Sequence, residues 1–287
     1  MESCTSRSVT TLSAVEAAYD TVGAYNQDAI NGFSDQILEA MLDLSQLATA
    51  THILDAMAGD GNLTVRLYDY CQRRGIALPR VDVLELSHVQ CAFARQRLQD
   101  TPARVIWGNI VTLEDYEQST RLPGQAFDRV LLKSGTHEIP LAHQSALYAN
   151  IWHMLAPGGM FVNLGFVFDD EVERDQFREI TRVKDRLAGM ESAAEQRHFL
   201  TREEFYSRLH EAGFVDVRCG RHVQYAIHTQ VAIEQYFPPE AWDRINAEIQ
   251  AEQARALVLR RRGRIHFQGE SSIMLCPGEI TLARRPR

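Results

Sequence analysis

The segment ILDAMAGDGNLT, beginning at Ile53, constrains the fold more than any other stretch of the chain. Its apolar start reads as a buried strand that ends in a carboxylate, Asp55, and Gly59 and Gly61 let the backbone turn tightly before a helix begins at Asn62. A strand that passes into a helix through such a turn belongs to an open parallel sheet. Ligands of these sheets bind outside the carboxyl ends of the strands, where glycines allow the backbone to approach them.

The same alternation continues along the chain. A helix is predicted over residues 27–44, with Ile30, Phe33, Ile37, Met41 and Leu44 on one face. Strands over 52–56, 81–86, 104–107, 127–133 and 160–168 then alternate with helices over 62–74, 87–100 and 140–155, the pattern of a parallel sheet covered by helices on both faces. Ser87 with Gln90, and Thr201 with Glu204, are spaced as capping boxes. LAPGG at 155–159 reads as a Pro-Gly turn between a helix and the next strand. Beyond Phe168 the spacing predicts helices over 171–187 and 201–212, the strand GFVDVRC, and a final strand in SSIMLCPGEITLARR. Between those two strands Trp242, Ile245, Ile249 and Ala256 share a helical face, as expected of a helical cap over a ligand site. The layout is therefore an N-terminal helical lid (1–48), a ligand-binding α/β core (49–219), a helical insertion (220–270) and a closing core strand (271–287).

Composition removes several function classes. Five scattered cysteines, Cys4, Cys71, Cys91, Cys219 and Cys276, form no CxxC pair, which fits a reducing compartment and gives neither a zinc site nor a disulfide framework. With no apolar run of about eighteen residues and no hydrophobic signal core at the N-terminus, a cytoplasmic protein independent of the membrane is expected. The net charge of −8 opposes general polyanion binding. RRRGR at 260–264 reads either as the last turn of a helix capped by Gly263 or as a contact for an anionic partner.

Two ligand classes compete for the glycine turn. A dinucleotide would lay its pyrophosphate on the helix N-terminus and favour GxGxxG without an anion nearby. Here Thr64 occupies the third glycine position, and Asp55 and Asp60 flank the turn. A cationic amino-acid ligand with a ribose reverses that logic, because Asp55 complements an ammonium and the turn amides receive a carboxylate.

On these residues the chain resembles the class I S-adenosylmethionine-dependent methyltransferases of small-molecule type. ILDAMAGDG resembles the family's first motif, and Glu85, at the end of VDVLEL and 24 residues beyond Gly61, matches the acidic residue that binds the ribose hydroxyls. WGNI at 107–110 takes the place of the adenine-contacting loop, FDRVLLKSGTHEIP resembles the fourth strand with its substrate-facing loop, and LAPGGMFVNLGF the fifth. The resemblance covers residues 51–168. It implies a Rossmann-like α/β fold with a mostly parallel sheet, and S-adenosylmethionine as cofactor with S-adenosylhomocysteine as product. It also implies cofactor contacts at Asp55, Ala56, Gly59, Gly61, Asn62, Glu85, Leu86, Asn109, Ile110 and Lys133. Met57 stands where many members have the first glycine, a change that is tolerable if the position only packs. Asn109 stands where many have Asp to accept from the adenine amino group; the Asn carbonyl can still accept, but a charge is lost. On the residues alone, Asp55 could instead cap the turn and Glu85 could be a solvated strand end.

Methyl transfer from a sulfonium is an in-line displacement that needs alignment and dehydration, with a base required only where the acceptor is protonated. The candidate base is His137, in the loop after the fourth strand, although THEIP also resembles a HEIP-like stretch of the family whose histidine only fixes the loop. Glu138 could hold the imidazole or bind a substrate cation. Lys133, one of two lysines with Lys184, could attract an anionic acceptor or simply pack its stem. Tyr19 and Tyr25 in AYDTVGAYN resemble an aromatic N-terminal lid, and Phe166, Tyr236 and Trp242 are further candidates to line the acceptor pocket. No histidine has a second ligand at zinc-site spacing, so no metal is expected. Base methylation of nucleic acid usually comes with (N/D)PPY after the fourth strand, where this chain reads KSGTHE. The expected activity is methyl transfer to an oxygen, nitrogen or carbon of a small molecule. The alternatives are a non-catalytic S-adenosylmethionine-binding partner or regulator and an RNA methyltransferase. Homodimers are common in the family, and no residue here specifies one.

Overall fold

A computed structural model describes residues 34–269 and 271–287. The lid positions Tyr19 and Tyr25 lie outside the described residues. Helix α1 (Asp35–Leu44) starts at Ser34, whose hydroxyl accepts from the Ile37 amide. The chain then runs through β1 (His52–Ala56), α2 (Asn62–Arg74), β2 (Arg80–Glu85), α3 (His88–Arg97) and β3 (Arg104–Asn109). Two short strands follow, β4 (Glu114–Asp115) and β5 (Thr120–Arg121), then β6 (Phe127–Lys133), a 3-10 turn over Thr136–Glu138, α4 (Leu141–Met154) and β7 (Leu155–Phe166).

The remainder comprises α5 (Glu171–Leu187), α6 (Glu191–Gln196), α7 (Arg202–Glu211), β8 (Val215–His228), α8 (Thr229–Tyr236), α9 (Trp242–Arg255), α10 (Leu257–Arg261), β9 (Ile265–Gln268) and β10 (Ser271–Arg284). Both capping residues sit at helix starts. Thr201 and Glu204 make the full reciprocal box, whereas Ser87 caps the Gln90 amide but gives its own N–H to Glu85.

The strands form one sheet in the order β5-β4-β3-β2-β1-β6-β7-β10-β8, with β9 beside β10. Pairing is parallel from β3 through β7 and antiparallel where β10 meets β7, β8 and β9. The chain moves outward from β1 in one direction and from β6 in the other, so a crevice opens at the carboxyl ends of this adjacent pair. Separate apolar cores fill the two faces of the sheet, one including Leu54, Tyr148 and Phe205, the other Ile53, Leu67 and Val162. Among the described residues no helix is long and apolar enough to cross a membrane.

Three details differ from the sequence expectation. LAPGG lies within β7 as an irregularity: Phe127 pairs with Leu155, but Arg129 already pairs with Met160. Gly158, at φ +78°, gives its N–H to the Arg285 carbonyl, and the Arg285 N–H returns to Gly159, so the C-terminal end of the chain holds the bulge. The strand expected to stop at Cys219 continues to His228, because Val223, Tyr225 and Ile227 repeat with period two and turn the same way as the core. Helices α8 to α10 therefore follow a strand extension, and the upper halves of β8 and β10 project past the carboxyl edge of the sheet.

A third apolar cluster, including Phe168, Phe177, Ile245, Ile249, Leu259 and Met274, joins this extension to α5 and the cap helices. The RRRGR segment serves that junction. Arg262 and Arg264 both pair with the buried Glu173 of α5, at 2.9 and 2.7 Å, and Gly263 adopts φ +65° beyond the helix end.

The base of the extension leaves no room at Gly278, where an added Cβ would lie 2.4 Å from Tyr225 Cε2 and 2.8 Å from the Gly165 carbonyl. Gly278→Ala should destabilise the protein by about 1–3 kcal/mol through overpacking. Urea unfolding would show this as a lower midpoint at unchanged slope; an unchanged midpoint would mean that the Tyr225 ring can move aside.

Candidate functional site

Every group at the crevice is displayed by a strand end. Asp55, at the end of β1 and 1% exposed, accepts from the Thr64 hydroxyl of α2 at 2.7 Å. Burial pushes this carboxyl up to about 7, against the Thr64 hydrogen bond and the nearby Lys133 cation, which pull it down. Next to Asp55 and Ala56 the turn opens with Met57 at φ +56°, a left-handed conformation that costs a side-chain-bearing residue about 1–2 kcal/mol. Met57 thus takes the backbone of the glycine it replaces and does more than pack. Its side chain also fills the space before Gly135, where an added Cβ would lie 3.0 Å from the Met57 sulfur.

Gly59 (φ +56°) has open space where a Cβ would be, while Gly61 (φ +77°) lies against Leu98, the residue that caps the end of α3, 2.9 Å from an added Cβ. The first glycine therefore leaves room for a ligand, and the second lets helices α2 and α3 meet. Asn62 starts α2 and gives its N–H to Asp60, whose other oxygen pairs with Arg97 at 2.7 Å.

Glu85, at the end of β2, uses its two carboxylate oxygens to accept the N–H groups of Gly59 and Ser87, each at 2.8 Å. It therefore braces the glycine turn across neighbouring strands and is more than a solvated strand end. The Leu86 carbonyl receives the Trp107 indole N–H at 2.9 Å, which fixes that ring between His88 and Tyr116. The Asn109 Oδ1 accepts the Val111 amide at 2.8 Å, and Asn150 of α4 binds the Ile110 and Val111 carbonyls. The Asn109 carbonyl thus closes its own turn, and Ile110 packs into the first core, so the half-buried side chains at this edge are Leu86 and Trp107.

The 3-10 turn after β6 faces a solvent-open cavity, whose empty space with the open solvent at its mouth amounts to about 680 Å³. Its walls are largely apolar, from Phe166, Phe177, Ile180, Phe199, Ile249 and Met274, with His137, Glu138, Lys184 and Arg197 as the charged or titratable lining. The His137 ring stacks on Phe199 (5.0 Å, 11°) and meets the edge of Phe166 (5.1 Å, 81°). Its Nε2 lies 2.9 Å from Glu138 Oε1, which assigns the proton to Nε2 and leaves the lone pair on Nδ1. That Nδ1 is buried and has no hydrogen-bond partner among the described residues. Glu138 Oε2 accepts from Arg197 at 2.9 Å, and Arg197 Nη1 reaches the fully buried Asp185 at 2.7 Å.

Of the expected acceptor residues, Phe166, Glu138 and His137 meet at this cavity. Tyr236 is tied to it through Lys184, whose ammonium lies 4.2 Å over the phenol ring. Trp242 is not part of the lining: its indole N–H binds the Phe237 carbonyl and its ring packs in the third core. Sequence reasoning missed Arg197, Asp185 and Phe199. Asp185 is fully buried, Glu173 and Arg174 of the same charged helix are buried too, and nothing in its sequence sets Asp185 apart from the partly exposed charges around it.

A second group of candidate ligands, Cys219, His222 and Glu279, brings its donor atoms within 4.8 Å of one another. Glu279 already accepts from Arg202, Tyr206 and Thr281. Burial, and then the Glu279 charge, push the Cys219 thiol up to about 11. A protonated thiol beside a carboxylate neutralised by Arg202 favours a hydrogen-bonded knot over a metal centre.

Residues 53–159 match the family model described as a methyltransferase domain. No curated protein sequence matches the chain. Among solved structures, the YcgJ protein of Bacillus subtilis shares the fold at a TM-score of 0.69 and 12% identity, over 88% of this chain and 100% of that one. Phosphoethanolamine N-methyltransferase 2 of Haemonchus contortus, solved with phosphomonomethylethanolamine and S-adenosylhomocysteine, aligns at 0.58 and 14% over 96% of this chain and 57% of its own. Human N-acetylserotonin methyltransferase, solved with S-adenosylmethionine, aligns at 0.51 and 13% over 96% and 56%.

Asp55 makes a pH-dependent contribution to stability. Its folded-state value near 7 exceeds the ordinary 3.8, so the folded form holds the proton more tightly and stability falls as pH rises between those values. Asp55→Asn, which keeps an acceptor for Thr64, should leave the ligand-free protein about as stable as the parent near pH 4. Near pH 8 it should be more stable by at most about 4 kcal/mol. Urea unfolding at both pH values reads the difference; a variant that gains nothing at pH 8 would show that Asp55 is solvated.

Proposed function

With a class I S-adenosylmethionine-dependent methyltransferase domain and S-adenosylmethionine as its cofactor, the chain is a methyltransferase, and we propose that it methylates a small molecule held in the cavity beside His137. The observation that carries this reading is His137, a residue lining the largely apolar cavity whose Nδ1 has no partner among the described residues, one strand away from the glycine turn.

The cofactor suits the crevice. Burial raises the Asp55 carboxyl to about 7 in spite of the nearby Lys133 cation, and an amino-acid ammonium would supply a second positive charge beside it. Gly59 leaves open space for the adjoining chain of the ligand, with Ala56, Gly61 and Asn62 shaping the turn. The two Glu85 oxygens accept the Gly59 and Ser87 amides, so the carboxylate that would face the ribose hydroxyls is oriented in advance. Leu86 and the 107–110 segment flank the adenine side, and Lys133 offsets the carboxylates. When bound, S-adenosylmethionine supplies an electrophilic methyl group and leaves as S-adenosylhomocysteine.

His137 would take the acceptor's proton on Nδ1 as the methyl group is transferred. Glu138 holds Nε2–H and stabilises the imidazolium, and Arg197 holds Glu138. Such a base typically contributes 10²–10⁴-fold, beside roughly 7–11 kcal/mol from orientation. In this reading residues 49–219 with 271–287 form the S-adenosylmethionine-binding core and the helices within 220–269 cover the acceptor; most of the expected lid, 1–48, lies outside the described residues. The enzyme works in cytoplasmic small-molecule biosynthesis without a nucleic-acid partner, in keeping with its acidic charge.

Transfer of label from methyl-labelled cofactor into a metabolite extract tests the reading. Label in nucleic acid or protein instead would overturn the small-molecule acceptor, and cofactor binding without any labelled product would indicate a binding module. Glu85→Ala should weaken S-adenosylhomocysteine binding by about ten- to a hundredfold in calorimetry; equal affinity would remove the ribose role. His137→Ala should lower kcat by about a hundredfold or more at unchanged cofactor affinity. Its deficit should shrink as pH rises and the acceptor ionises unaided. Full activity at neutral pH would leave proximity alone.

A further inference from the structure

Two polar groups on the cavity wall lack a well-directed partner among the described residues, and they are chemically opposite. One is the His137 Nδ1 lone pair. The other is the Lys184 ammonium, whose side chain is 17% exposed. Its Nζ lies 2.7 Å from Asp185 Oδ1, an ion-pair distance, yet that oxygen receives no properly angled hydrogen bond. One face of the ammonium rests over Tyr236, and an ammonium carries three N–H donors. Asp185 is also shared, because its other oxygen takes Arg197, and the remaining acidic lining residue, Glu138, pairs with Arg197 as well. Lys184 therefore owns half of one buried counter-charge and faces a cavity whose other surfaces are mainly apolar.

A ligand that answers both groups donates a proton to Nδ1, fills the apolar space with a ring or chain, and ends in an anion. We propose that the methyl acceptor is a hydroxylated aromatic carboxylic acid whose carboxylate is received by Lys184. This rests on the reading of the cavity as the acceptor site. Four rings, Phe166, Phe177, Phe199 and the His137 imidazole, form a packed cluster that suits a flat guest. The carboxylate also balances the imidazolium that forms when His137 takes the hydroxyl proton. In that step the hydroxyl oxygen bonds to the methyl carbon, the carbon–sulfur bond breaks with its electron pair going to sulfur, and the proton stays on Nδ1.

The test uses 4-hydroxybenzoate, 4-hydroxyphenylacetate and 4-hydroxycinnamate, each beside its primary amide, in calorimetry and label transfer with the full chain saturated with cofactor. At least one acid should be preferred over its amide by about ten- to a hundredfold, the worth of a charge-assisted hydrogen bond. Lys184→Met should erase that preference with S-adenosylhomocysteine affinity unchanged, and Lys184→Arg should keep it. Equal use of acid and amide, a preference that survives in Lys184→Met, or no acid bound while S-adenosylhomocysteine binds normally would each overturn the acceptor class. Failure to bind S-adenosylhomocysteine would instead undo the underlying methyltransferase site. Loss of folding in the Met variant is read separately by its unfolding midpoint, and the parent's acid-to-amide ratio then decides.

Discussion

The contact between two turns, one after β1 and one after β6, sets the geometry on which the rest of the site depends. The strands pair in parallel with Ala56 opposite Leu132, so the chain leaves both at the same height and must bend away twice in a small space. Met57 and Ser134 both adopt left-handed backbone conformations there, φ +56° and +53°, and Gly135 is the residue that leaves room for the Met57 side chain. Strained backbone of this kind persists only where its surroundings fix it. Here the fixing comes from Glu85 across β2, which holds the Gly59 amide, and from β7 and β8, which hold Ser134 through the Leu164 carbonyl and the Tyr225 hydroxyl. The glycine turn and the His137 turn are consequently one packed unit.

The His137 half of the site rests on a different kind of interaction. Glu138, Arg197, Asp185 and Lys184 form a chain of ion pairs in which Asp185 is fully buried and Arg197 nearly so. Taking each charge out of water costs several kcal/mol, and pairing only partly returns it, so such a chain is a poor source of stability. Its return is directional. Arg197 reaches Glu138 through two nitrogens, Glu138 fixes the proton on His137 Nε2, and the Phe199 and Phe166 rings hold the imidazole plane. The position of the Nδ1 lone pair is thereby determined from α5, the α6–α7 connection and β7 together.

This contrast explains how much of the molecule was legible in the sequence. The crevice at the ends of β1 and β2 is built from local signals: an apolar run ending in Asp55, two glycines at fixed offsets, an acid at the next strand end, and a Ser or Thr before each of two helices. Those features act within a few residues, and the structure places them as the sequence suggests. Asn109 is an informative exception, since an Asx turn to Val111 and the Asn150 clamp from α4 determine where its carbonyl points. The acceptor side is non-local. Glu138 and Arg197 stand 59 positions apart, and neither residue's neighbours announce the pair. The strand extension to His228 was visible as the alternation Val223, Tyr225, Ile227, but the helical face centred on Ile245 and Ile249 dominated the segment and concealed it.

The extension gives the site its depth. A sheet that ended at Cys219 would leave the His137 turn on an open rim, where water would share the imidazole lone pair and weaken every charge nearby. By running on to His228, β8 carries Tyr225 under Phe166 and lifts α8 and α9 over the rim, so that Ile227, Ala232 and Ile249 become cavity wall. The same strand packs Tyr225 so tightly against Gly278 that β10 admits no side chain there, which locks the two long strands in one register at the cavity base. The depth of the cavity, the packing around the imidazole and the presentation of Lys184 therefore share a single structural cause, the continued pairing of β8 with β10 beyond the edge of the parallel sheet.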